Sequence, residues 1–183
     1  MFCCHGQYKF IETDSYASCA DYALYDSNNI KVNLPENFQE AMKCPFLLNI
    51  HEGIITFAEN NKIKQYFIPS KKEISILEYY SDIDGICGPE WSPDNKKIMF
   101  IIINQEHKHG YKEMCRIIVI TRGSDGLPAE KKKFDLTINF ECGSICTSSS
   151  GEDFCFVDNE TIEYKRYTEI QKGPGTKVKI SLQ

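Results

Sequence analysis

The alternation of apolar and polar positions predicts short strands separated by polar turns along most of the chain. The plainest case is Ser92-Pro93-Asp94-Asn95, a tight polar turn set between Trp91 and the apolar run Ile98-Met99-Phe100-Ile101-Ile102-Ile103. Pro93 presets φ for a turn, and Asn95 tolerates the left-handed backbone that a hairpin corner needs. A β-branched run after such a turn reads as a buried strand. Its returning strand is Cys115 to Ile120, reached through a long turn from Asn104 to Lys112.

The same strand-turn-strand shape recurs. It is seen in Phe57 to Lys64 around Asn60-Asn61, in Phe156 to Glu163 around Asn159, and in Leu24 to Val32 around Asn28-Asn29. Further strands are predicted over Lys72–Tyr80, Lys132–Phe140 and Lys177–Leu182, while Glu36–Lys43 after Pro35 has the composition of a short helix. Cys44, Cys87 and Cys142 each precede a turn and an apolar strand. Phe57 and Phe100 fall thirteen positions after their cysteines, and Phe156 fourteen after its own. Self-similarity at this period means repeated supersecondary units. The expectation is an all-β protein of about four blade-like antiparallel sheets. One domain, 1–183, then divides into units of roughly 8–43, 44–86, 87–141 and 142–183, with 1–7 standing apart.

Gly88-Pro89-Glu90-Trp91-Ser92-Pro93-Asp94-Asn95-Lys96-Lys97-Ile98-Met99-Phe100 resembles the TolB-type β-propeller repeat, a relative of WD repeats. In that family a Trp-Ser-Pro-Asp-Gly turn leads into Lys-Lys-Ile-x-Phe. Here Asn95 replaces the glycine, and both residues accept positive φ. The other units keep only the pattern. The resemblance implies a propeller-like arrangement, and four units leave a small closed ring, an open arc or completion by another chain as alternatives.

Composition narrows the class. The chain has 183 residues, 42% of them hydrophobic and 12% aromatic, which suits a folded domain rather than a disordered segment. Its net charge of −5 gives no global attraction for nucleic acid or anionic lipid. No apolar run approaches the roughly 18 residues of a membrane-spanning helix. Lys131-Lys132-Lys133 reads as a solvated strand edge, where lysine discourages edge-to-edge pairing. Residues 1–7 lack a charged leader and a full apolar core. They fit either the remnant of a secretory segment, in a periplasmic or secreted protein, or an ordinary cytoplasmic start.

Candidate chemistry is sparse. Glu106, His107 and His109 are the metal candidates, with His51 or Glu52 as a converging ligand, because a His-x-His pair on a strand faces one side. Set among Gln, Lys and Gly, the same residues also make an ordinary solvent loop. Nine cysteines leave at least one thiol unpaired. Cys44, Cys87 and Cys142 are expected as buried thiols, with a bridge among Cys142, Cys146 and Cys155 left open. Asn159-Glu160-Thr161 has the glycosylation acceptor pattern, and Gly173-Pro174-Gly175-Thr176-Lys177 reads as a turn rather than a phosphate loop. No Gly-x-Ser-x-Gly elbow occurs in these residues.

The expected function is therefore non-catalytic protein binding without a cofactor. An immunity or inhibitor protein that neutralises a basic partner is one form of it. Tyr79, Tyr80, Asp82, Asp84 and Glu90 are the candidate partner-binding residues. A metal-dependent hydrolase built on the His107/His109 loop and a fragment of a larger propeller are the rivals.

Overall fold

A computed structural model of the chain describes residues 7–16, 19–43, 45, 47–79, 85–106, 112–137, 154–166 and 176–183. Among these residues it is a β protein, with four antiparallel sheets and one six-residue helix. The chain forms two compact units, Met1–Tyr79 and Tyr80–Gln183.

The first unit begins with a hairpin, β1 (Tyr8–Tyr16) and β2 (Cys19–Asp26), which makes a two-stranded sheet. The outer edge of β2 is held by the chain that turns back along it. Asp26 and Tyr22 donate their N–H groups to the carbonyls of Ile30 and Met42, and the Val32 N–H donates to Leu24. Only the bridge Tyr25↔Lys31 forms where Leu24–Val32 was expected to return as a full strand. Pro35 fixes φ at the next corner, and its carbonyl accepts the N–H of Phe38 at 2.9 Å to start α1 (Glu36–Ala41). The expected short helix after Pro35 is thus present.

The unit's main sheet runs β3 (Leu48–His51), β4 (Ile54–Glu59), β5 (Lys62–Phe67), β6 (Lys72–Glu78) in that spatial order. Asn60 and Asn61 both take positive φ, 49° and 59°, in the two-residue turn that closes Glu59 on Lys62. That is the backbone a tight hairpin with right-handed strand twist demands. Leu48, Ile55, Phe57 and Tyr66 pack with Phe10, Leu24, Leu34, Phe38 and Met42 into one core. Phe38 meets the Phe57 ring edge-on at 4.3 Å and Tyr66 at 5.1 Å, so a six-residue helix is anchored by a single aromatic.

In the second unit, the sheet order is β10 (Pro128–Thr137), β9 (Lys112–Arg122), β8 (Lys97–Glu106), β7 (Gly85–Trp91). The Ser92 turn forms as the sequence indicates. The Ser92 N–H donates to the Lys97 carbonyl at 2.9 Å, the Lys97 N–H donates to the Ser92 hydroxyl oxygen at 2.8 Å, the Asp94 carboxylate accepts from that hydroxyl at 2.7 Å, and Asn95 has φ 58°. Arg122 lies over the Trp91 ring at 5.4 Å. A second sheet has the order β11 (Phe154–Asp158), β12 (Thr161–Arg166), β13 (Thr176–Ser181). Met99, Ile101, Ile117 and Val119 of the first sheet share a core with Phe154, Ile162, Tyr164 and Leu182 of the second.

The repeated phenylalanines are not all equivalent. Phe57 and Phe100 are fully buried, but Phe156 is half-buried, and Phe154 takes the buried place two residues earlier. The β11–β12 register shifts between Phe156 and Asp158, which re-aims the end of that strand. Cys87 lies in β7 opposite Ile101, whereas Cys44 and Cys142 lie outside the described residues. Among the described residues, no helix is long and apolar enough to cross a membrane.

Candidate functional site

A cleft of about 250 Å³ opens between the two sheets of the second unit. Strand register explains its lining. Lys97, Thr121 and Glu130 are cross-strand partners on β8, β9 and β10, and Val119 and Lys132 form the next pair along the same face. Glu160, at the β11–β12 turn, and Leu182 complete the wall from the other sheet.

The charges in this cleft answer one another. Lys97 Nζ donates to Glu160 Oε1 at 2.5 Å and to the Asn159 carbonyl at 2.8 Å, with its side chain only 13% exposed. The Lys132 ammonium donates to the Leu182 carbonyl and lies 4.0 Å from Glu130. Asn159 Oδ1 accepts the Asp94 N–H at 3.1 Å. The Ser92–Lys97 turn and the Asp158–Thr161 turn are therefore stitched by three polar contacts over an apolar floor of Val119 and Leu182. Two ammonium groups, two carboxylates and the Thr121 hydroxyl line the cleft. Its chemistry is that of a clasp between sheets. The same bond gives Asn159 a structural task, since its Oδ1 holds the Asp94 N–H of the facing turn.

Carboxylates around the clasp are held in their charged form. The Glu160 N–H is the main reason that the Asp158 carboxyl lies below its ordinary value. Asp94 is pushed up by burial, but the Ser92 hydroxyl and the Lys96 N–H outweigh that and lower it. Lys177, 2.7 Å from Glu163, depresses the Glu163 carboxyl and is itself raised by it. Cys155 is a free thiol, so the bridge left open to it is not formed, and Cys142 and Cys146 lie outside the described residues. Burial, then the nearby Glu163 and Glu90, pushes the Cys155 thiol up, which keeps it protonated and unreactive.

Of the expected binding and metal residues, Tyr79, Glu90, Glu106, His51 and Glu52 are among the described residues. Tyr79 follows β6 in the first unit. Its N–H donates to the Asn61 carbonyl at 3.0 Å, and burial raises its phenol. Glu90 sits in β7 opposite Met99, and Glu106 ends β8 opposite Lys112, at the far end of that strand. Tyr80, Asp82, Asp84, His107 and His109 lie outside the described residues. His51 is half-buried on β3 opposite Ile54, and Glu52 forms the exposed turn after it with φ 47°. Among the described residues, no group of three or more His, Cys, Asp or Glu is placed to hold a metal ion. The clasp residues Lys97, Asn159 and Glu160 were not singled out as a set by sequence, because the pairing spans more than sixty residues and no local pattern signals it.

No family model and no curated protein matches this chain. Among solved structures it is similar to a crystal structure of Porphyromonas gingivalis dipeptidyl peptidase 4, with a TM-score of 0.49 and 12% sequence identity. That alignment covers 86% of this chain and 27% of the other, so this chain spans about a quarter of that protein's length.

Proposed function

We propose that this chain is a non-catalytic protein-binding protein, its four sheets acting as propeller-like blades that offer open edges to a partner. The observation that carries the reading is the state of those edges. Among the described residues the sheets end on β1 and β2, β3 and β6, β10 and β7, and β11 and β13, and an outer strand leaves a row of backbone donors and acceptors for pairing. Partner strands dock on edges of this kind through main-chain hydrogen bonds. Unequal sheets support the related reading that blades are completed by another polypeptide, for the first sheet has two strands where β3–β6 and β7–β10 have four. An inhibitor or immunity role is the form that the acidic net charge of −5 favours, since a basic partner would be steered to it.

The test is recovery of a partner on the tagged full chain, followed by reconstitution from pure components. A stoichiometric complex that weakens as salt rises is expected. Chemical conversion of the recovered molecule would overturn the reading. So would stoichiometric bound metal that is lost in the double variant His107→Ala/His109→Ala.

A further inference from the structure

We draw no further inference here: the strongest candidate, the cleft between the two sheets of the second unit, belongs to the site already described, where the Lys97 and Lys132 ammonium groups are engaged by Glu160 and by the Asn159 and Leu182 carbonyls.

Discussion

The two units reach a shared-core sheet architecture by different means. In the first, a hairpin, a one-and-a-half-turn helix and a four-stranded sheet meet in an aromatic cluster of Phe38, Phe57 and Tyr66. In the second, two sheets meet through aliphatic side chains, chiefly Met99, Ile101, Ile117 and Val119, and their turns are tied by a polar clasp. One unit concentrates its cohesion in a few large rings, while the other spreads it over many small contacts and adds charge. A helix of six residues cannot persist without its packing, so the first unit is the one a single truncation should damage most.

Phe57→Ala tests that directly. It removes a fully buried ring that packs edge-on against Phe38, and a loss of about 3–5 kcal/mol is expected, read as lowered stability in denaturant. Hydrogen exchange should speed up across β3–β6 and α1, and loss of protection in β8 and β9 to the same degree would erase the contrast between the units. In the second unit the sharper weakness is backbone. Gly88 has φ 109° at the bulge of β7, and an added Cβ would lie 2.8 Å from the Met99 carbonyl oxygen. Because that neighbour is main chain in a central strand, it has little room to yield. Gly88→Ala should cost about 1–3 kcal/mol, with protection lost first at the β7–β8 pairing. An unchanged midpoint in urea would refute the close approach.

These sensitivities also mark how much was legible in the sequence. The Asn60-Asn61 and Ser92-Pro93-Asp94-Asn95 turns, the apolar strand after Ser92 and the helix after Pro35 are written in local chemistry, and the structure has each of them. Phe156 does not match Phe57 in depth: it lies on the same face of β11 as Phe154 and packs on the same core, but Phe154 takes the fully covered place, and spacing alone does not tell which of two same-face residues is covered. The pairing of Tyr8–Tyr16 with Cys19–Asp26 went unread for another reason. Ile11 to Ser15 is a nearly unbroken polar run, which says that no core covers it but not that the strand pairing continues beyond the core. For the candidate site, the clasp depends on Lys97 meeting a turn sixty residues onward, a pairing set by how the two sheets stack.

The clasp itself supplies a smaller, targeted effect. Lys97→Met keeps the apolar stem that covers Val119 but removes the ammonium between Glu160 and the Asn159 carbonyl. Hydrogen bonds to a charged group contribute about 1.5–3 kcal/mol when buried, and with Glu160 about half-exposed the lower end, near 1 kcal/mol, is expected. The loss should shrink when Glu160→Gln is already present, so a double-mutant cycle showing strict additivity would remove the pair from the account. Phe57→Ala and Lys97→Met, in separate units, should by contrast add.

Acid should separate the units by the least amount and in a definite direction. Asp94, Asp158 and Glu163, all in the second unit, have carboxyls depressed in the folded chain. A depressed acid contributes stability that is whole above its unfolded value, near pH 4, and is lost as pH falls through the folded value. The first unit has the opposite case. Glu59 first and Glu73 second raise the Lys64 ammonium, so that contribution is whole below about pH 10.5 and fades only as pH climbs through the raised value. Methyl spectra recorded from pH 6 downward should therefore lose the signals of Ile117, Val119 and Ile162 before those of Leu24, Ile55 and Ile63. The order is expected because the depressed carboxyls lie at the turns and cross-strand pairs of the second unit, and simultaneous loss in both units would mean that the aliphatic core, rather than the charged turns, sets its resistance to acid.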